Sequence, residues 1–330
     1  MGCSGYGARN LRIGGQKQWI PFRPNIKTDK SGRIAGFRLG AGAMRYNLQR
    51  ANNNRPPAAS SEPSTLKVEF AQLSDRGRVR EQNEDYAGYV LAATPEQART
   101  HGWLFVLADG VGGHDSGEVA SRTAVDTMLS GFRAAAGGEP HPGLLTRLVQ
   151  TANTRVYEAG AAASSGGRPM ATTIVACALR FDRAVMAHVG DSRCYHIRRG
   201  QATLITRDHT VANEQIRLGV LSAREVSGAE TRHMLSRSVG MDLFVSVDTS
   251  ERLLLTGDVL LLCSDGLYGS VSASDMARVV SRTEDLNAAA QELVAIANER
   301  DGSDNISIQL VRVRGVERVG MYRGRPYKLR

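Results

Sequence analysis

No apolar run in the 330-residue sequence approaches the roughly 18 residues that a membrane-spanning helix needs, and the N-terminal region lacks the apolar core of a secretory signal. A cytoplasmic protein is therefore expected. The opening MGCSGY offers Gly2 but places Tyr6 where a myristoylation signal takes Ser or Thr, which argues against a lipid anchor. Cysteine is scarce: Cys3, Cys177, Cys194 and Cys263 show no paired spacing, which excludes a disulfide framework, and the last three sit in or beside apolar runs as packed, reduced thiols would. The Cys-x₅-Arg spacing falls at Cys3 to Arg9, in the basic N-terminal stretch, and at Cys177 to Arg183, where the cysteine sits inside an apolar run and not in a loop; no Gly-x-Ser-x-Gly elbow occurs, so no side-chain nucleophile announces itself.

Positive charge is abundant but confined. Residues 1–66 hold 11 Lys/Arg against 2 Asp/Glu and residues 312–330 hold 7 against 1, whereas the middle of the chain holds 24 against 30. The net charge of +9 thus belongs to the ends, and the part that folds is acidic. Aromatics in the basic N-terminal stretch, Tyr6, Trp19 and Phe22, are too sparse for a base-stacking surface, so no nucleic-acid partner is expected; the basic ends suit an acidic partner or surface. Three segments follow: a basic N-terminal extension at 1–65, solvated and largely disordered, a folded domain at 66–314, and a basic C-terminal tail at 315–330.

Within the domain, apolar β-branched runs at 104–108, 173–180, 184–189, 193–197, 202–205, 244–248, 259–263 and 306–313 predict strands. Helical spacing predicts helices over 116–134, 142–163, 272–281 and 285–299, the last capped by Asp285. Two of the apolar runs end in Asp-Gly: LFVLADGVGGH at 104–114 and LLLCSDGLYGS at 260–270. One such dipeptide is ordinary turn chemistry, but two buried strands ending this way can bring carboxylates face to face, where they repel unless a cation lies between them. Glu84 and Asp85 in EQNEDY, Asp191 in AHVGDSRCY and Asp304 in DGSDNISIQLV also abut strands. Several carboxylates without His-Cys spacing favour Mg²⁺ or Mn²⁺ over zinc.

Eight segments in order, SDRGRVREQNEDY, LADGVGGHDSGEVAS, ATTIVACAL, AHVGDSRCYHIRRG, TRDHT, HMLSRSVG, LLCSDGLYGSV and DGSDNISIQLV, spanning about 66–314, resemble the metal-dependent protein phosphatases, the PPM or type 2C serine/threonine phosphatases, in their bacterial branch. The resemblance implies an α+β fold, a four-layer αββα sandwich of two antiparallel sheets flanked by helix pairs. It implies hydrolysis of phosphoserine and phosphothreonine proteins, the targets of a cognate kinase, by a water bridging two Mn²⁺ or Mg²⁺ ions, with a weaker third ion. By position, Asp109 would bridge the metals, Gly110 would offer its carbonyl, Asp265 and Asp304 would hold the first metal, and Asp85 and Glu84 would act through waters. Asp191 with Asp265 would hold the third ion, and Arg80 would bind the substrate phosphate. Val111 stands where many eukaryotic relatives carry a histidine proposed as general acid, which leaves His114 or water for that task. His209 reads as a hydrogen-bonding loop residue, and 208–240 as a flap near the site. The alternative is a catalytically weak or inactive phosphatase-like binding module regulating a signalling partner; an inactive one would be expected to lose metal-site aspartates, and all five are present.

Overall fold

A computed structural model describes residues 11–13, 16–18, 66–111, 115–163, 170–220, 222, 234–322 and 325–328. The chain divides into two units, Met1–Glu62 and Pro63–Arg330. In the first, β1 (Leu11–Ile13) pairs antiparallel with β2 (Gln16–Gln18). The remainder of the N-terminal extension, His114 and residues 223–233 of the expected flap lie outside the described residues.

Along the second unit run β3 (Lys67–Asp75), β4 (Asp85–Val90), α1 (Pro95–Thr100), β5 (Trp103–Val111), α2 (Asp115–Ala134), α3 (His141–Ala163), β6 (Ala171–Thr172), β7 (Ile174–Arg180) and β8 (Arg183–Val189). Then follow β9 (Arg193–Arg198), β10 (Gln201–Leu204), α4 (Val211–Arg217), β11 (Asp248–Leu253), β12 (Val259–Cys263), α5 (Asp265–Tyr268), α6 (Ala273–Arg282), α7 (Leu286–Arg300), β13 (Ile306–Gly315), β14 (Val319–Tyr322) and β15 (Arg325–Lys328). One antiparallel sheet has the order β10-β9-β12-β13-β3; the other has the order β11-β8-β7-β5-β4, with β6 also on β5.

Three apolar interfaces stack these elements into four layers. Phe105, Leu107, Cys177 and Met186 of one sheet meet Cys194, Leu260, Leu262 and Val311 of the other. Leu104, Val106 and Ile174 face the opposite way, onto Val125, Met128 and Phe132 of α2 and Leu145 and Leu148 of α3. Leu261, Ile308 and Leu310 likewise pack on Met276 and Val280 of α6 and Leu293 of α7. Strand β5 is therefore buried on both faces, which is why its sequence is a continuous apolar run and not an alternation. Each large side chain so buried contributes roughly 1.5–3 kcal/mol of transfer free energy. The expected αββα sandwich is the fold.

The four long helices lie where their spacing places them, and Asp285 caps α7 by accepting the Asn287 N–H. Arg199 and Gly200 both take positive φ, 52° and 75°, as a two-residue hairpin turn requires, and join β9 to β10. The strand expected at 244–248 is a correction: those residues lead into β11, which begins at Asp248, and Phe244 is 86% exposed. Strand β11 is the sheet edge and alternates between half-buried and exposed, so its sequence, DTSERL, carries no apolar run to mark it. The 315–330 stretch, expected as a tail, contains the β14–β15 hairpin, and buried Glu317 ahead of it pairs with Arg99 at 3.2 Å.

Candidate active site

Asp85 opens β4 and lies directly opposite Asp109 on β5. Strand β5 runs two residues past Asp109 because Gly110 and Val111 pair with β6. On the other sheet, β12 stops at Cys263 and the chain passes through Ser264 into the one-turn helix α5, whose first residue is Asp265. Asp304 precedes β13, and Asp191 follows Gly190, whose φ of 100° turns the chain from β8 to β9. Strand ends of both sheets thus deliver five aspartates to one end of the sandwich.

Their proximity is visible in their electrostatics. Burial, reinforced by Asp265 and Asp304, pushes the Asp85 carboxyl up to about 7 against the opposing hydrogen bonds of Ser264 and Ser307. Burial again leads at Asp109, which is held well above the usual carboxylate range with Asp85, Asp265, Asp191 and Asp304 all adding to the effect. Asp191 is raised to about 7 by burial, then by Asp265 and Asp208. Such a cluster favours an added cation.

Hydrogen bonds fix the frame around the acids. Ser264 Oγ donates to Asp85 Oδ2 at 2.7 Å, while Asp85 Oδ1 is buried with no hydrogen-bond partner among the described residues. The Asp109 N–H donates to Thr173 Oγ1 (2.9 Å), which is 2.7 Å from Ser192 Oγ beside Asp191; Thr172 Oγ1 donates to the Asp109 carbonyl at 2.8 Å. Glu84 accepts through its backbone carbonyl from the Gly110 N–H at 3.1 Å and from Ser121 Oγ at 2.6 Å. Gly110 has to be glycine, because a Cβ there would stand 2.2 Å from the Gly117 carbonyl oxygen and 2.7 Å from that of Glu84. Arg80 Nη2 donates to Asp304 Oδ2 at 2.9 Å; burial alone would weaken its charge, but Asp304, Glu84 and Asp109 raise its pKa on balance. The five aspartates, Glu84, Gly110 and Arg80 thus lie at one end of the sandwich, with exposed Val111 at the rim and His114 outside the described residues.

Three supporting groups brace the site, and two of them, Asn305 and Arg193, went unread in the sequence. Asn305 accepts the Glu84 N–H through Oδ1 (2.8 Å) and donates through Nδ2 to the carbonyls of Arg76 and Gln82, both at 2.9 Å. It therefore clamps the loop that carries Arg80 and Glu84. Its place directly after Asp304 was the available signal. Asn305→Ala removes three hydrogen bonds made by a buried amide, each worth about 1 kcal/mol. A destabilisation of about 2–3 kcal/mol is expected by denaturant unfolding, with a rise in KM for phosphate esters as Arg80 loosens; unchanged stability would show that the clamp is dispensable.

Arg193, the second, stacks 3.6 Å from the Tyr268 ring centroid on α5, binds both Asp208 carboxylate oxygens, and donates to Tyr195 Oη, tying the Asp191 turn to the α5 helix and to the flap base. His209, expected as a hydrogen-bonding loop residue, is the third, and it is fully buried. It stacks on His188 at 4.8 Å and 18°, accepts the Gly190 N–H through Nδ1, and lies 3.3 Å from Asp248 Oδ2 through Nε2. His188, His209 and Asp248 bring ligand-type atoms within 4.8 Å. Near-parallel rings cannot aim both lone pairs at one ion, and Asp248 already binds Arg207 and Arg237, so this trio is a hydrogen-bonded support under the flap. Burial holds His209 down at about 4 and lowers His188 too, keeping both neutral. The three thiols among the described residues are no rival nucleophiles: burial pushes Cys194 up to about 12 and raises Cys177 and Cys263 as well.

A family model described as protein phosphatase 2C matches residues 82–307. The serine/threonine phosphatase stp of Listeria innocua is 33% identical over 257 residues, covering 76% of this chain and 96% of that protein. The S. agalactiae serine/threonine phosphatase structure superposes with a TM-score of 0.69 at 33% identity, covering 75% of this chain and all of that one. The catalytic domain of the serine/threonine phosphatase PstP, solved in complex with two manganese ions, superposes at 0.63 with 30% identity over 76% of this chain and 99% of its own. With a family model over more than half its length and relatives of this identity matched nearly end to end, the chain belongs to the protein phosphatase 2C family of serine/threonine phosphatases.

Proposed function

We propose that the five aspartates hold two divalent cations, Mn²⁺ or Mg²⁺, and a third more weakly, and that Arg80 receives the phosphate of a phosphoserine or phosphothreonine protein. The observation that carries this reading is the buried Asp85 carboxylate directly opposite the half-buried Asp109, with three more aspartates within electrostatic reach. The donor set fits such ions: hard oxygens only, an Asp85 Oδ1 with no hydrogen-bond partner, and a Gly110 carbonyl on backbone that admits no side chain. Asp109 would serve both ions, Gly110, Asp265 and Asp304 would complete the first position, and Asp85 and Glu84 would act through waters. Asp191, with Asp265, would serve the outer position. When bound, the ions supply Lewis acidity that lowers the pKa of water and offsets phosphoryl charge.

The chain's own residues do the positioning. Asp304 holds Arg80 by Nη2, which leaves the other guanidinium donors for two phosphoryl oxygens. Thr173 and Ser264 fix the Asp109 backbone and the Asp85 carboxylate, so the acids need not reorganise during turnover. Val111 has no titratable proton to give, so the leaving alkoxide takes its proton from water or from His114. The substrates are read as targets of a cognate serine/threonine kinase, met in the cytoplasm, where the buried free thiols of Cys177, Cys194 and Cys263 stay reduced. No described helix is long and apolar enough to cross a membrane. The basic N-terminal extension is read as an electrostatic tether, dispensable for turnover. The test is steady-state hydrolysis of phosphothreonine and phosphotyrosine peptides by the full chain in Mn²⁺: turnover of the first well above the second is expected, and failure to release phosphate from either would defeat the reading.

A further inference from the structure

The loop that carries Arg80 also carries two arginines that the proposed chemistry does not use. Arg76 and Arg78 are exposed, and neither forms an ion pair among the described residues. Their backbone is nonetheless fixed. Asn305 Nδ2 holds the Arg76 carbonyl at 2.9 Å, and the Arg78 N–H donates to the Gly302 carbonyl at 2.7 Å. Gly77, at φ 77°, lies so close that a Cβ would stand 2.2 Å from the Asp304 carbonyl oxygen; a Cβ on Gly302 would meet Arg78 Cγ at 3.1 Å. Segment 76–78 is therefore laid across 302–304, the stretch whose Asp304 side chain holds Arg80. Arg76 adds one neutral bond, from Nη1 to the Glu81 carbonyl at 3.2 Å. The exposed carboxylates of these loops, Glu81 and Asp301, pair with neither arginine, and Asp301 instead accepts from Ser303 Oγ at 2.7 Å.

Resting on the phosphatase reading, we propose that Arg76 and Arg78 select substrates with an anionic side chain, a carboxylate or a second phosphate, beside the scissile phosphoresidue. Two guanidiniums on pinned backbone beside the phosphate-binding arginine form a fixed positive rim. Guanidinium donors suit both anions. Two residues of extended chain span at most about 7 Å, so the anion lies within about three positions of the scissile residue. Exposed charge pairs are individually weak, which sets the effect of two of them at about threefold to tenfold, expressed mainly in KM and shrinking as salt rises.

The test compares kcat/KM in Mn²⁺ for phosphothreonine peptides with neutral flanks, with glutamate flanks and with a second phosphothreonine, beside p-nitrophenyl phosphate. For the parent, both anionic peptides are expected to exceed the neutral one by about threefold to tenfold. Arg76→Ala with Arg78→Ala brings the ratio to about one, and Arg78→Glu drives it below one, with p-nitrophenyl phosphate turnover held within about twofold. Because each ratio is taken within one variant, differences in active fraction cancel. A gain with only the glutamate peptide, or only the doubly phosphorylated one, identifies which anion the rim reads. A parent ratio near one for both, or a preference that survives the double substitution, overturns the proposal. Absence of p-nitrophenyl phosphate turnover by the parent would instead bring down the phosphatase reading, and this inference with it.

Discussion

Asp109→Asn is expected to lower kcat/KM by about 100-fold or more, a loss of at least about 2.7 kcal/mol of transition-state stabilisation, while the sandwich stays folded. Asparagine keeps the shape of the side chain and leaves the backbone bonds to Thr173 and Thr172 intact, so the β5 rim survives. It removes the anion placed opposite Asp85 and within reach of Asp191, Asp265 and Asp304. A turn-only role for this Asp-Gly pair gives the contrary outcome, because asparagine serves a turn about as well as aspartate. Stability separates the two views a second time. In chelator near pH 8 the variant is expected to melt above the parent, since a buried carboxylate that its neighbours repel is gone, whereas a turn residue would leave melting level or lower. Phosphatase rate, bound manganese and thermal melting of the two proteins decide the matter, and near-parental activity and metal content would refute the assignment.

Much of this arrangement was legible in the sequence because strand ends are. An apolar run that stops at Asp-Gly marks both the burial and the point where a carboxylate leaves it; LLLCSDG ends its strand there, whereas LFVLADG runs on two residues past its aspartate, to Val111, because β6 pairs with it. The four long helices were equally readable, being one-sided, whereas the short α1, α4 and α5 were not. What escaped was structure whose signal is tertiary. The edge strand β11 shows only alternating exposure, so the apolar Phe244 nearby drew the expectation off by several residues. Asn305 looks like a turn residue, and its value lies in reaching three backbone groups at Arg76, Gln82 and Glu84, more than 200 residues away in sequence. Nothing in the sequence sets Arg76 and Arg78 apart from ordinary surface charge beside Arg80, and their segment is distinguished only by its packing on Gly302 and Asp304.

Chelation is expected to abolish turnover, and the stabilisation that Mn²⁺ restores is expected to grow with pH. Asp85 and Asp191 sit near 7 in the fold, against an ordinary carboxylate value of about 4. A carboxyl raised in this way contributes stability that is fully present below about pH 4 and is lost as pH rises through about 7. His141 and His209, held at about 4, act in the opposite sense: neutral in the fold, they withdraw stability as pH falls from about 6.5 through 4. The melting curve of the metal-free protein therefore mixes two opposed titrations between pH 4 and 6.5. Cations relieve only the carboxylates, so the difference in Tm between Mn²⁺ and chelator isolates that part. At pH 5 protons already neutralise Asp85 and Asp191, and the gain from Mn²⁺ is small. At pH 8 the ion binds without that competition, and at 100 times its dissociation constant it adds about 2.7 kcal/mol, or about 5–10 °C for a domain of this size. Calorimetry at the two pH values, with and without chelator, makes the comparison. An equal gain at both, or full phosphatase activity in excess chelator, would mean that the five aspartates do not act as a cation site.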